Sequence, residues 1–212
     1  RRRPTNRTSF FKQKTAYEIL TCDWSSDVCS SDLAGSLMPD SGEVLLDGEP
    51  ITHLTANHRF HKGLLRTFQI AHEFSHLSAL ENLMMVPPGQ EGENLFSTWF
   101  KPGEVRRQEA ETRRRALEVL DFVGLAHVRN ELAGNLSGGQ KKLLELGRTM
   151  MTDARVVLLD EIAAGVNRTL LGDLMGNIER LNRELGYTFL VIEHDMDMIA
   201  RLCDPVIVLA EC

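Results

Sequence analysis

Two short stretches of this chain decide its fold: Leu136-Ser137-Gly138-Gly139-Gln140 and, about twenty residues later, Arg155-Val156-Val157-Leu158-Leu159-Asp160-Glu161. The first places a serine and two glycines at the start of a helix that the apolar pattern continues to about Met151. The second is a short apolar run that ends in two carboxylates, which is typical of a buried parallel strand. Strands and helices that alternate in this way predict an α/β domain.

The expected chemistry at these two stretches is phosphate and metal binding. Backbone amides and the positive end of a helix suit a phosphate at Ser137, Gly138 and Gly139, although Ser-Gly-Gly also suits an ordinary N-cap. Open α/β sheets bind their ligands at the carboxyl ends of the strands. Asp160 is therefore placed to hold Mg²⁺, directly or through water, and Glu161 to orient a water.

Two further polar residues follow predicted strands. The strand Phe189-Leu190-Val191-Ile192 precedes His194, and the strand-like Leu64-Leu65 precedes Thr67-Phe68-Gln69. A single histidine at such a position is more often structural than catalytic. Together with the carboxylates, however, His194 and Gln69 predict one polar cluster at the same edge of the sheet.

Other segments predict the elements around this cluster. Asp47-Gly48 marks a tight turn between two strands within residues 43–51. Residues 104–123 predict a helix in which Glu109 pairs with Arg113 and Glu111 with Arg115. The last two predicted elements are a helix over residues 170–185, ending at Gly186, and a strand over residues 205–209.

Residues 1–33 do not resemble the rest of the chain. Residues 12–19 (Lys-Gln-Lys-Thr-Ala-Tyr-Glu-Ile) resemble a translated sequencing flow-cell primer, and residues 23–33 resemble the adjoining adapter in the same reading frame. We interpret residues 9–33 as translated adapter and exclude residues 1–33 from the predicted fold. A disordered native N-terminus is the alternative interpretation. Residues 34–212 form the predicted domain.

Composition narrows the class of protein. The chain has 212 residues and a net charge of -6; residues 1–33 carry +2 of this, which leaves -8 for the remainder. An acidic domain disfavours a nucleic-acid partner. No apolar stretch is long enough to cross a bilayer, so any membrane role requires a partner. The four cysteines show neither metal-ligand spacing nor a disulfide framework, which favours a reducing cytoplasm.

The order and spacing of these motifs resemble an ATP-binding-cassette (ABC) ATPase. The resemblance rests on the Leu-Ser-Gly-Gly-Gln signature, the Walker B strand with Asp160 and Glu161, the loop Ala164-Gly165-Val166-Asn167, and the loop at His194. It covers residues 34–209. It implies a P-loop NTPase-like α/β fold with a helical subdomain over about residues 70–150.

The resemblance also implies a role for each residue. Asp160 and Gln69 would serve the Mg²⁺ site, Glu161 would be the general base, and His194 would contact the γ-phosphate of ATP. Gln69 would link the metal site to membrane subunits. The remaining residues would bind nucleotide held by the opposite subunit of a head-to-tail dimer or lie at that interface: Ser137, Gly138, Gly139, Gln140 and Asn167.

The sequence departs from the family in three ways. It contains no Gly-x-x-x-x-Gly-Lys-Ser/Thr phosphate loop. Residues 34–42 resemble the family segment after the helix that follows that loop, so we expect a domain without its first strands. Because the chain also stops at Cys212, right after a predicted strand, we expect truncation at both ends. Such a polypeptide is predicted neither to bind ATP usefully nor to fold stably. Ile162 stands where the family usually has proline, a change that leaves both carboxylates intact.

Within the family, the sequence most resembles the ATPase subunit of branched-chain amino acid importers. Leu65-Arg66-Thr67-Phe68-Gln69, the long segment 87–101 and the Ala-Gly-Val-Asn loop carry this resemblance. It implies a peripheral subunit at the cytoplasmic face of the inner membrane. Its expected partners are a second ATPase subunit, two membrane-spanning permease subunits and a substrate-binding protein, with no nucleic acid.

Two other functions remain open from the sequence. One is a non-transport ABC ATPase that acts on DNA or ribosomes, which the acidic charge disfavours. The other is a catalytically inactive interaction remnant of the fold. The missing phosphate loop favours the remnant, whereas retention of Asp160, Glu161 and His194 favours an active parent protein.

Overall fold

The computed structural model describes residues 7–12, 15–20, 31, 33–38, 42–67, 73–90, 99 and 101–207, with the backbone alone described for 7–12 and 15–20. The chain divides into two compact units. The sheet unit comprises Arg1–Arg66, Arg155–Glu161 and Thr188–Cys212, and the helical unit comprises Thr67–Ala154 and Ile162–Tyr187. The strands of the parallel sheet lie in the sheet unit, and the longer helices lie in the helical unit. Gln69, one of the predicted site residues, lies outside the described residues.

The sheet unit is built on three parallel strands in the order β5-β6-β7. Their bounds are β5 Leu64–Arg66, β6 Val156–Asp160 and β7 Thr188–Ile192. The strands are in register, with Leu64 opposite Val156 and Asp160 opposite Ile192. Every residue of β6 is buried, as its continuous apolar sequence predicts.

The strand predicted at residues 189–192 is confirmed as β7, but it is less buried than its apolar sequence suggests. All five residues of β7 are only half-buried. Among the described residues, β7 is hydrogen-bonded to β6 alone, whereas β6 lies between two strands. β7 is as apolar as β6, so its lower burial comes from its neighbours in the sheet and not from its own sequence.

The predicted strand over residues 205–209 is also wrong where it is described. Residues 205–207 form no strand, and Val208 and Leu209 lie outside the described residues. Pro205 has no backbone N–H to donate, and Val206 and Ile207 are 51% and 38% exposed. The side chains of Val206 and Ile207 therefore lack the burial that would favour their pairing as a β-strand.

The predicted tight turn is confirmed. β3 (Leu45–Leu46) pairs antiparallel with β4 (Glu49–Pro50). The two residues between them, Asp47 and Gly48, have φ of 53° and 80°. Positive φ at both central residues matches the twist of a two-residue hairpin, and an Asp-Gly pair adopts it readily.

The core of the sheet unit includes Leu33, the last residue that the adapter interpretation assigns to the foreign segment. Leu33 is 6% exposed and belongs to a buried apolar cluster with Val44, Ile51 and Leu158. Arg59, which is fully buried, donates from Nη1 to the Leu33 carbonyl at 2.8 Å and also to the carbonyls of Thr52 and Leu54. Leu33 thus contributes to packing whatever its origin.

Other described elements of the sheet unit include a short N-terminal hairpin and two short helices. The hairpin pairs β1 (Arg7–Lys12) with β2 (Thr15–Leu20) in antiparallel register. The helices are α1 (Ala56–His61) and α6 (Met196–Leu202). Asp195 caps α6, since its carboxylate accepts from the amides of Asp197 and Met198 at 3.0 Å each.

In the described part of the helical unit, four α-helices pack together: α2 Ala79–Met84, α3 Pro102–Phe122, α4 Gly138–Met150 and α5 Arg168–Leu185. The sequence predicted α3, α4 and α5 to within a few residues. Gly186 ends α5 in the left-handed conformation, with φ of 71°, as predicted for a C-terminal glycine. Within the described ranges, no helix has the length and apolar character required to cross a bilayer.

The ion pairs predicted on α3 are wrong in detail. Glu111 pairs with Arg114 at 2.5 Å instead of Arg115. Arg115 is half-buried and donates to the carbonyl of Met150 at 2.7 Å, near the end of α4. Arg115 therefore donates to this carbonyl and not to the exposed Glu111, because a buried carbonyl needs a hydrogen-bond donor.

Candidate functional site

Asp160 lies at the carboxyl end of β6, inside the sheet unit. Its side chain is 1% exposed, and the guanidinium of Arg66 donates to its Oδ2 at 3.0 Å. Arg66 is the last residue of β5, so the strand order brings it to the same edge. A carboxylate buried to this extent needs a compensating positive charge, which Arg66 supplies.

Glu161 follows directly and has a strained backbone. Its φ is 46°, in the left-handed region that residues other than glycine seldom adopt. The Glu161 amide donates to the carbonyl of Ile192 at 3.0 Å, which extends the β6–β7 pairing to this residue and holds the conformation. Such conformations collect at functional sites, where the surrounding structure imposes them.

His194 lies two residues beyond β7, at the same edge of the sheet. The register that sets Asp160 opposite Ile192 places residues 161 and 193–194 just past the paired strands. The His194 side chain is 78% exposed, and its Nδ1 lies 4.0 Å from Oε2 of Glu193. The sheet unit therefore brings Asp160, Glu161 and His194 to one edge, with His194 open to solvent.

Ser137 caps α4 in the helical unit. The Gln140 amide donates to Ser137 Oγ at 3.3 Å, and the Ser137 amide donates to Oε1 of Gln140 at 3.0 Å. This reciprocal cap satisfies two backbone donors. The amides of Gly138 and Gly139 have no acceptor among the described residues, so they remain available at a positive helix end.

The two signature glycines differ in what surrounds them. A Cβ at position 139 would lie 2.6 Å from Cδ1 and 3.1 Å from Cβ of Leu170 on α5. A Cβ at position 138 would meet only the Gly165 carbonyl, at an ordinary 3.6 Å. A side chain at position 139 would therefore crowd Leu170, whereas the packing would accept alanine at position 138.

Asn167 is the N-cap of α5, in the helical unit. Its Oδ1 accepts from the amide of Leu170 at 2.9 Å. The preceding turn is closed by the Val166 amide, which donates to the Ala163 carbonyl at 3.2 Å. Asn167 thus has a structural task as a cap, and its expected place at a dimer interface stays a prediction.

The donor chemistry at Asp160 fits Mg²⁺ that arrives with a nucleotide. Among the described residues, no group of three or more His, Cys, Asp or Glu side chains forms a metal cluster. Mg²⁺ commonly binds one or two carboxylates and completes its shell with water and substrate phosphates, without a protein cage. A single buried carboxylate at the strand end suits that mode of binding.

Sequence reasoning missed two charged contacts near the predicted site residues. One is the pairing of Arg66 with Asp160 in the sheet unit. The other is in the helical unit, where Lys141, next to the signature, contacts Glu73 at 2.7 Å with side-chain exposures of 26% and 9%. Neither pair has a sequence spacing that would reveal it, although an arginine that ends an apolar strand-like run is a usable signal.

The comparisons with known proteins agree with this architecture. The sequence profile of the family described as "ABC transporter" matches residues 30–164. The chain therefore belongs to the ABC transporter family, and by family it is an ABC-type ATPase.

Its similarity extends to particular members of the family. It is 35% identical over 178 residues, covering 84% of this chain and 68% of the relative, to a probable branched-chain amino acid transport ATP-binding protein LivG of Archaeoglobus fulgidus. It is 37% identical over 177 residues, with coverages of 84% and 69%, to the high-affinity branched-chain amino acid transport ATP-binding protein BraF of Pseudomonas aeruginosa.

Solved structures give the same result for the fold. A nucleotide-free ATP-binding cassette from an ABC transporter aligns with a TM-score of 0.68 at 32% identity, covering 84% of this chain and 70% of that one. The ADP conformation of another such cassette aligns with a TM-score of 0.66 at 31% identity, with coverages of 84% and 69%. The α/β fold predicted from the sequence is thereby confirmed as that of an ABC ATPase cassette.

Proposed function

We propose that this chain is the ATP-binding and ATP-hydrolysing part of an ABC importer for branched-chain amino acids. The observation that carries the proposal is the edge of the three-stranded sheet. There, a buried Asp160 is followed by Glu161 in a strained conformation, with His194 just past the adjacent strand. Both similar relatives are named as ATP-binding proteins of branched-chain amino acid transport, which supports the substrate class.

The proposed roles follow from the position of each residue. Asp160 would hold Mg²⁺, which on binding supplies positive charge to the phosphates. Glu161, held by its backbone bond to Ile192, would orient and deprotonate the attacking water. His194, exposed beyond β7, would contact the γ-phosphate, and Gln69 would complete the site from the segment after β5.

The signature would act on nucleotide held by a second subunit. The unused amides of Gly138 and Gly139 point to an anionic ligand at the start of α4, and Ser137 and Gln140 hold that helix end in place. Asn167 would lie at the same dimer interface. The chain would lie peripherally at the cytoplasmic face of the inner membrane, in an assembly with two membrane-spanning permease subunits and a substrate-binding protein.

Hydrolysis of ATP tests the catalytic roles. The protein to compare is the gene product read from the source locus across the Leu33–Ala34 junction, with its Glu161→Gln and His194→Ala variants. Loss of a general base is expected to lower kcat by about 10²–10⁴-fold, with ATP binding retained. Glu109→Gln, an exposed carboxylate on α3, is the matched control. Unchanged hydrolysis in Glu161→Gln would remove Glu161 from the mechanism.

The 212-residue chain itself has a different expected result. Because it contains no phosphate loop, we expect no measurable ATP hydrolysis from it, and turnover above the control would contradict this. An inactive interaction module is the second candidate, favoured by the same missing motif. A source locus that encodes residues 9–33 would support it, and a phosphate loop upstream of Ala34 would reject it.

A further inference from the structure

Arg66 and Asp160 meet across two strands at the edge of the sheet. Arg66 lies opposite Leu158 in the parallel register, and Asp160 is two residues further along β6. The guanidinium Nη2 lies 3.0 Å from the carboxylate Oδ2, with side-chain exposures of 18% and 1%. The pair joins residues that are 94 positions apart in the sequence, so only the fold creates it.

The geometry of this pair favours exchange over a permanent bond. Arg66 reaches Oδ2 through Nη2, while its Nη1 donates to Ser31 Oγ at 2.9 Å. Its Nε is buried without an acceptor among the described residues. The guanidinium therefore does not form the two-pronged contact that makes arginine–carboxylate pairs strong. A divalent cation carries twice the charge of a guanidinium and would use the same carboxylate in the proposed function.

We propose that Arg66 is the resident counter-cation of Asp160: it neutralises the buried carboxylate while no metal is bound and yields it to a divalent cation. This rests on the metal-binding role of Asp160 in the proposed function. Arg66 is a positioning residue, because it acts through Asp160.

The test is a thermal-unfolding cycle on the gene product read from the source locus across the Leu33–Ala34 junction, with Mn²⁺ alone as the probe metal. Arg66→Met is expected to lower Tm, because it removes the guanidinium that donates to the buried Asp160 carboxylate. Adding Asp160→Asn to Arg66→Met is expected to restore most of that loss. Arg66→Lys, which keeps the charge, should lose less. The exposed Arg113→Met serves as the control with a small effect.

Measurement of Mn²⁺ affinity distinguishes the exchange of Arg66 for a metal from a purely structural role of Arg66. Mn²⁺ should bind Arg66→Met about tenfold more tightly than the unmodified chain, equivalent to about 1.4 kcal/mol, and should raise its Tm more. The double variant should show no such rise. Equal Mn²⁺ affinity with and without Arg66 overturns the exchange while leaving Asp160 as a metal ligand. Mn²⁺ binding that persists in Asp160→Asn removes the metal role itself, and the proposal with it.

Folding failure of Arg66→Met is also informative. If Arg66→Met does not fold but the double variant does, the loss of the Arg66 contact to the Asp160 carboxylate is the cause, as proposed. If both fail to fold, or if their losses of Tm simply add, Arg66 stabilises the unit by packing alone and the proposal is wrong.

Discussion

Two helices of the helical unit begin with the same reciprocal cap and differ in everything around it. In α2, Ser78 and Glu81 exchange side-chain and backbone hydrogen bonds, and in α4 Ser137 and Gln140 do the same. Both caps satisfy two donors at the helix start. Because the caps are alike, any difference in ligand binding between the two helix starts must come from the residues around the caps.

The two residues after each serine make the difference. In α2 they are Ala79 and Leu80, both buried, whose amides donate to the carbonyls of Glu131 and Arg129 at 3.0 Å each. In α4 they are Gly138 and Gly139, whose amides have no acceptor among the described residues. The α2 start serves the fold and uses all its donors, whereas the α4 start keeps two of them for a ligand.

The largest expected effect falls on the buried support of the α2 start. Asn82 is fully buried; its Oδ1 accepts from the Phe74 amide at 2.8 Å and its Nδ2 donates to the Ser78 carbonyl at 3.0 Å. Asn82→Leu should destabilise the protein by about 2–4 kcal/mol, because several buried backbone groups lose their partner. Urea unfolding measures this, and a loss below about 1 kcal/mol would contradict it.

Alanine at position 139 is expected to disturb packing next. The new Cβ would lie 3.1 Å from Cβ of Leu170, which cannot move without shifting α5. We expect Gly139→Ala to cost about 1–3 kcal/mol, as other overpacked substitutions do. Urea unfolding of Gly139→Ala paired with Leu170→Ala checks the cause. The second change should recover part of the loss, and strictly additive losses would reject this explanation.

The two capping serines should be equal in stability and unequal in function. Ser78→Ala and Ser137→Ala should each cost about 1 kcal/mol, the usual value of a lost N-cap. Only Ser137→Ala should weaken ATP-dependent association with an intact cassette subunit of the same family, measured by analytical ultracentrifugation. If Ser78→Ala weakens this association equally, the two helix starts do not differ in function.

The substitution Gly138→Ala distinguishes an effect on ligand binding from an effect on stability most clearly. Alanine fits there at 3.6 Å from its nearest neighbour, and in a helical conformation it should stabilise the protein by about 0.5 kcal/mol. The methyl group would nevertheless lie beside the two unused amides and obstruct a phosphate. We expect association with the ATP-loaded subunit to fall while urea unfolding shows no loss. Unchanged association would leave Gly138 without a functional reason.

The smallest expected effect is a pH dependence confined to the α2 cap. The Ser78 hydroxyl, followed by the Ser78 backbone, donates to Glu81 and lowers the pKa of its carboxyl below the usual 4.5. A lowered folded-state pKa contributes stability that is complete above about 4.5 and is lost as the pH falls through the folded-state value. Glu81→Gln should remove this part of the acid sensitivity. Gln140→Glu should introduce a similar sensitivity at α4, and urea unfolding against pH compares all three proteins.

Prediction from the sequence succeeded where neighbouring residues decide the structure. The Asp47-Gly48 turn, the start of α4 at Ser137 and the end of α5 at Gly186 depend on local backbone preferences. Prediction failed where a distant segment decides. Residues 189–192 are as apolar as β6 but half-buried, and Arg115 prefers a carbonyl of α4 to the Glu111 beside it on α3.

By itself the sequence determined the chemistry of the site: which strand ends in carboxylates, where a histidine follows and which helix starts with bare amides. Only the tertiary structure decided the partners of these groups. It paired Asp160 with Arg66 and distinguished Gly139, where a side chain would crowd Leu170, from Gly138, where it would not. Residue type and spacing set local conformation, whereas contacts between distant segments depend on strand register and helix packing, which no single segment encodes.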